Sequence, residues 1–282
     1  MVRDVRLIVL GSGTSAGVPA IGCHCDTCTS DDPRDQRLRT SAAVCWTDAA
    51  DCERVVLIDA SPDLRQQVLR AGIGRCDGIF FTHNHVDHTF GLDEVRRFNA
   101  LQKSTIDVWA EPQTLEHLQR VYRHIFHKQH NINDSFIASL EPRELTPGKS
   151  VELYGLVFEP LRFQHGNLPI LGFRIEPVKA DVSPLPLAWC TDVSSIPTAT
   201  RPRLEGLQTL FLDMLRERPH ATHLSYEQAV AEAQAIGAPQ TWFVHMAHQI
   251  RHASVDASLP SGMALAWDGL VVGGAHTEPS SA

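Results

Sequence analysis

Hydrophobic positions in this 282-residue chain fall in short runs separated by polar turns. Residues 5–10, 41–46, 55–58, 78–82 and 106–110, two stretches within 151–163, and 170–175, 187–190, 207–212 and 241–244 are largely apolar. Runs of this length without strict alternation read as strands buried on both faces. Between some of them the spacing turns helical. Ser61-Pro62-Asp63 predicts an N-cap, a proline at N1 and an acid in the first turn, with Leu64, Val68 and Leu69 as the buried face and Gly72 as the stop. Leu92, Val95 and Phe98 predict a second helix, and Leu115, Leu118, Val121, Tyr122 and Ile125 a third over 112–126. Ser225 with Gln228 forms a capping box for a helix to about residue 236. Residues 263–272 predict a last strand pair turning at Asp268-Gly269. Many strands with helices between some of them give an α/β class with mixed sheets. With no linker in view, a single domain over 1–282 is expected, its C-terminus frayed from about 275.

Composition changes this picture little: 43% hydrophobic and 21% charged is ordinary for a globular protein. The net charge of −8, without a Lys/Arg cluster, argues against a nucleic-acid partner. It leaves a small anionic substrate open, because bound cations reverse the local field. The apolar run at residues 7–10 is too short for a secretory signal, and no stretch reaches membrane-spanning length. A cytoplasmic address without a membrane partner is expected, so the seven cysteines are expected as thiols. Cys23, Cys25 and Cys28 form C-x-C-x-x-C, which points to a metal before a disulfide, while Cys45, Cys52, Cys76 and Cys190 read as packing residues. Gly11, Gly13 and Gly17 miss the dinucleotide-loop spacing and no Walker lysine follows, so this segment reads as a tight turn that lets backbone approach the site.

The densest chemistry is His83-Asn84-His85-Val86-Asp87-His88, an H-x-H-x-D-H run. In extended chain His83 and His85 leave one face, while Asp87 and His88 point apart and suit a second ion. Nitrogen and carboxylate ligands suit Zn²⁺, Mn²⁺ or Fe²⁺. His165, Asp192 and His245 each follow a predicted strand, where a sheet displays side chains from a rigid frame. Together these complete two sites: His83, His85 and His165 for one ion, and Asp87, His88 and His245 for the other, with Asp192 bridging them. His220 and His223 are candidates for a general acid, since an imidazole near neutrality can protonate a departing oxygen. Arg96 and Arg97 could meet a phosphate, and His124, His127 and His130 read as a solvated or pocket-rim face.

On the leading Leu10-Gly11-Ser12-Gly13-Thr14, Ile58-Asp59, the histidine motif, His165, Asp192 and His245, the chain resembles metallo-β-lactamase-superfamily hydrolases. The resemblance implies an αββα sandwich of two mixed sheets flanked by helices, and a role for Asp59 in supporting a ligand histidine. Gly22 to Cys28 and Val244-His245-Met246-Ala247-His248 are similar to the PhnP branch, the phosphoribosyl 1,2-cyclic phosphate phosphodiesterases of phosphonate metabolism. That likeness implies two divalent catalytic ions (Mn²⁺ or Zn²⁺) and a structural Zn²⁺ held by Cys23, Cys25, Cys28 and His248. It further implies metal-bound hydroxide attack on a small cyclic phosphate ester, and a homodimer. His223 takes the acid role, with His220 as fallback and Asp87 among the catalytic residues. The C-x-C-x-x-C segment is also reminiscent of PqqB, an oxygen-using member, but such sequences tend to lack this ligand set. A tRNA-processing nuclease is a third alternative, disfavoured by the acidic charge and by the lack of a tRNA-binding arm.

Overall fold

The computed structural model describes residues 1–130, 135–179 and 182–274, so the expected fraying beyond 275 lies outside the described residues. The first half of the chain contains β1 (Arg3–Gly11), β2 (Ser41–Thr47), β3 (Glu53–Ile58), α1 (Leu64–Arg70), β4 (Gly78–Phe80), α2 (Val86–Thr89), α3 (Arg96–Gln102), β5 (Ile106–Ala110), α4 (Pro112–Val121), α5 (Arg123–Phe126) and β6 (Leu140–Glu144). The second half contains β7 (Val151–Leu153), β8 (Leu156–His165), β9 (Leu168–Pro177), β10 (Leu187–Cys190), β11 (Thr209–Asp213), α6 (Tyr226–Ile236), β12 (Gln240–Val244), α7 (His252–Asp256), β13 (Met263–Leu265) and β14 (Val271–Gly273). The strands build two seven-stranded mixed sheets, ordered β14-β1-β2-β3-β4-β5-β6 and β13-β12-β11-β10-β9-β8-β7.

Side-chain alternation shows why the central strands are apolar throughout. Ala42, Val44 and Trp46 of β2 and Val56 and Ile58 of β3 face the core between the sheets, with Trp189 of β10 and Phe211 of β11 opposite. Ala43, Cys45, Val55 and Leu57 face outward, onto Leu64, Phe98, Leu115 and Ile125 of the helices. On the second sheet Ala188, Cys190, Leu210 and Leu212 pack outward against Ala229 and Ala233 of α6 and Val255 of α7. The result is the expected αββα sandwich, in which a strand covered on both sides needs no polar face.

Several local expectations differ: Leu69 and Val121, placed on apolar helix faces, and Cys52, placed among packing residues, are exposed. Ser61 is not an N-cap: α1 starts at Leu64, and the Ser61 hydroxyl accepts from Asp63 N and donates to Gln67 Oε1. The 112–126 helix breaks at Tyr122, whose backbone leaves helical geometry while its hydroxyl donates to Thr89 O, beside the histidine motif. Residues 263–272 form no hairpin, because β13 joins the second sheet and β14 the first. Asp268 is a buried acceptor instead, for Ser12 N and Oγ and for Leu38 N, each at 2.8 Å. Gly11 does permit close approach, but to the Arg39 carbonyl, which a Cβ there would meet at 2.0 Å.

The polar segment at 23–39 needs a tether and has two. Buried Arg37 donates to Asp35 Oδ1 (3.0 Å) and to Ala247 O (3.1 Å), and Asp35 Oδ1 also accepts from His252 N. Burial pulls the Arg37 guanidinium down to about 10, which still leaves it charged at neutral pH. The second tether is the cysteine cluster described below.

Candidate metal centre

Parallel strands β3 and β4 of one sheet, and β10, β11 and β12 of the other, deliver their C-terminal ends to the site. At three of these ends Asp59, Asp192 and His245 turn the chain with φ of +63°, +59° and +62°. The left-handed region costs a non-glycine residue roughly 1–2 kcal/mol and persists where surrounding structure enforces it.

Hydrogen bonds set the tautomers. Asp59 Oδ2 accepts from His88 Nδ1 (2.7 Å) and from the Thr82 hydroxyl (2.9 Å), and Asp59 Oδ1 accepts from Thr82 N (2.8 Å). Thr82 has one hydroxyl proton and gives it to Asp59, so His83 Nδ1, 2.9 Å from that oxygen, is the donor. His165 Nδ1 donates to Thr222 O (2.8 Å). With Nδ1 committed as a donor, each of these imidazoles turns Nε2 toward the site, the nitrogen a metal would take.

The free nitrogens converge. Ligand atoms of His83, His85 and His165 lie within 4.8 Å of one another, as do those of Asp87, His88 and His245, and those of His83, His88 and Asp192. Nε2 atoms of His83, His88 and His245 are buried without a hydrogen-bond partner. Asp192 approaches His88 Nε2 with Oδ2 (3.2 Å) and His245 Nε2 with Oδ1 (3.3 Å), so its two oxygens face the two groups. Close but misaligned polar atoms around a common centre fit cation ligands better than donor–acceptor pairs. The expected partition, with Asp192 between two ion sites, is the partition this geometry permits. Burial opposes charge on Asp87 and Asp192, yet His88 and His245 hold both carboxyls below the ordinary range. His88 is in turn held above its ordinary value, against burial, by Asp192, Asp59 and Asp87.

Sequence reasoning left Asp213 as a mere strand end. Its Oδ1 accepts from His223 Nδ1 and from Asp192 N, both at 3.0 Å, and its Oδ2 accepts from Leu224 N at 3.0 Å. A signal was available: like Asp59 and Asp192, it is an acid closing an apolar strand. His223 is buried and stacks on His245, 4.7 Å between ring centroids, whereas His220 is exposed with its ring 5.3 Å from His223. Arg96 pairs with Asp93 (3.2 Å), which also lies 3.2 Å from His124 Nε2.

Cys23, Cys25 and Cys28 place their sulfurs 3.1, 3.4 and 3.5 Å from His248 Nδ1. Three sulfurs closing on one imidazole nitrogen form the donor set of a tetrahedral Cys₃His site. The Cys28 backbone N–H draws the Cys25 thiol down to about 6, favouring the thiolate a metal binds. Backbone pairing of Ser12 and Thr14 with Met246 ties the leading turn to the chain between His245 and His248.

A family model described as a beta-lactamase superfamily domain matches residues 54–246. The chain belongs to the metallo-β-lactamase superfamily. As a superfamily member it has a solved relative, a diphosphatase from the PhnP family, at 38% identity and a TM-score of 0.84 over 96% of this chain and 98% of that one. Zn²⁺-bound PqqB from Methylobacterium extorquens shares the superfamily fold at 20% identity and a TM-score of 0.73, over 95% of this chain and 99% of that one. An octanoyltransferase from Porphyromonas gingivalis is 36% identical over 94% of this chain. The chain spans about half the length of that relative, 51%. In fold and in its clustered candidate metal ligands, this superfamily member resembles the PhnP-family relative. Among the described residues no helix is long and apolar enough to cross a membrane.

Proposed function

We propose that the protein is a dinuclear-metal phosphodiesterase that hydrolyses a small cyclic phosphate, with phosphoribosyl 1,2-cyclic phosphate as the leading candidate. The observation that carries this reading is the coexistence of two ligand groups, a carboxylate between them, and a buried imidazole held by Asp213 at their edge. His83, His85 and His165 would hold one ion, Asp87, His88 and His245 the other, and Asp192 both. Two divalent ions, Mn²⁺ or Zn²⁺, would supply an activated water and neutralise charge on the phosphate. Asp59, directly and through Thr82, keeps His88 and His83 in the ligand tautomer. Asp213 fixes His223 through Nδ1, leaving Nε2 to deliver a proton to the departing sugar oxygen. His220, exposed and with its Nδ1 near Thr222, takes no part in that transfer. Cys23, Cys25, Cys28 and His248 would hold a structural Zn²⁺.

The PhnP-family diphosphatase supports attack on a phosphorus centre, and the net charge of −8 speaks against an RNA substrate. The octanoyl transfer named for the longer relative is not carried over, because the ligand set here suits attack by water. A cytoplasmic, homodimeric enzyme, as in the family, completes the reading.

Metal analysis with a screen of cyclic phosphates, 2′,3′-cyclic nucleotides included, tests it. The expected result is three ions per chain and turnover of a ribose-based cyclic phosphate. Undiminished hydrolysis of bis(p-nitrophenyl) phosphate by Asp192→Ala would overturn it.

A further inference from the structure

Beside His83 and Asn84 a cavity of about 260 Å³ opens between the first turn of α4 and the start of β9. Its charged walls are Glu111 and Arg162, which meet in a two-pronged pair: Arg162 Nη1 donates to Glu111 Oε2 at 2.8 Å and Nη2 to Oε1 at 2.5 Å. The pair joins β8 of one sheet to the residue preceding α4 beside the other. Gln113 adds a side-chain amide, α4 has no capping side chain over its first N–H groups, and Leu168 supplies an apolar wall.

From this lining we infer that the cavity is the subsite for the organic part of the substrate, and that it selects a hydroxylated, uncharged ring of monosaccharide size. Arg162 is already matched by Glu111, so a second phosphate would meet a carboxylate rather than a free cation. A sugar meets complementary groups instead. Each Glu111 oxygen keeps a lone pair after binding Arg162, available to a hydroxyl proton, while Asn84 and Gln113 can donate or accept. Size points the same way, since about 260 Å³ is below the roughly 300–1,000 Å³ of drug-sized ligand sites. Any further phosphate on the substrate would lie outside this cavity. The assignment rests on the phosphodiesterase reading for the reacting group, and it makes Glu111 and Gln113 specificity determinants, with Arg162 a positioning residue.

The test is calorimetric binding of ribose 1-phosphate and of inorganic phosphate to the metal-loaded protein. Wild type is expected to prefer ribose 1-phosphate. Glu111→Gln should weaken that ligand by roughly ten-fold, as loss of a charge-assisted hydrogen bond does, while leaving inorganic phosphate unchanged. Because Glu111 also links the two sheets, Gln113→Ala on the exposed first turn is the second variant, expected to weaken ribose 1-phosphate alone by about three-fold. Equal affinity of wild type for both ligands, an unchanged preference in the variants, or equal weakening of both ligands would each overturn the assignment. The phosphodiesterase reading fails separately, if wild type turns over no cyclic phosphate.

Discussion

Asp213 and His223 stand in a fixed relation: one carboxylate oxygen accepts from the imidazole Nδ1 at 3.0 Å, and the same oxygen accepts from the backbone N–H of Asp192. One buried side chain thus orients both the proposed acid and the residue proposed to bridge the ions. The first prediction follows from the acid. His223→Ala and Asp213→Asn should slow hydrolysis of a ribose ester by roughly 10²–10⁴-fold, the usual contribution of a positioned acid. A p-nitrophenyl ester leaves without protonation, so His223→Ala should slow it by less than about ten-fold. Steady-state kinetics with both substrates decide it, and equal losses on both would remove His223 from the acid role.

The cysteine cluster should behave independently of catalysis. Cys25→Ser is expected to lose one ion per chain while keeping the catalytic pair. Losing that tether of the 23–39 segment should cost about 2–3 kcal/mol, or a fall in Tm of about 5–10 °C for a chain of this size. Elemental analysis beside a thermal melt checks both halves.

Gly91 sits where the chain leaves the histidine motif, and a Cβ there would lie 2.0 Å from Ser61 O and 2.8 Å from the Leu64 Cβ. Gly91→Ala should destabilise the fold by about 3 kcal/mol, the upper part of the range for overpacking, because the nearest atom is backbone and cannot swing away. Residues 60 and 88 share a backbone hydrogen bond at 2.8 Å, so the same variant should also weaken metal retention against a chelator. Denaturant titration and chelator competition measure the two effects.

Stability should fall on acidification through His252. Burial, with the Arg34 guanidinium nearby, pushes its imidazole down to about 4, against an ordinary value of 6.5. Between those values the unfolded chain binds a proton that the folded chain refuses, so stability rises with pH across this window. Its contribution is complete above about pH 6.5 and is lost progressively towards pH 4, on the order of 3 kcal/mol in all. His252→Phe keeps a ring against Trp267 and takes up no proton. Urea unfolding at pH 7.5 and pH 5 should show a smaller difference for the variant; equal differences would clear His252 of the effect.

What could be read in advance divides along physical lines. The central strands were legible because both faces are covered, which leaves Val55 to Ile58 or Leu187 to Cys190 with no polar position to blur the pattern. The clustering of the candidate ligands was legible because histidines and acids at strand ends have few other reasons to gather. Asp268-Gly269 misled, since turn chemistry is local whereas the pairing of β13 and β14 is decided by which sheet has a free edge. Asp213 escaped because a lone acid after a strand looks like any turn residue until His223 folds back on it. Glu111 and Arg162 are 51 residues apart, and nothing local in either announces the pair.

The three left-handed residues at the strand ends bear on how such a site would be lost. Asp59, Asp192 and His245 hold a backbone shape that glycine would adopt with less strain, and at these strand ends it is their side chains that the candidate centre uses. A descendant that abandoned its metals would lose that use, and drift would favour glycine at these three positions before it disturbed the sheets. Glycine at 59, 192 and 245 on an otherwise intact sandwich would therefore mark a retired enzyme.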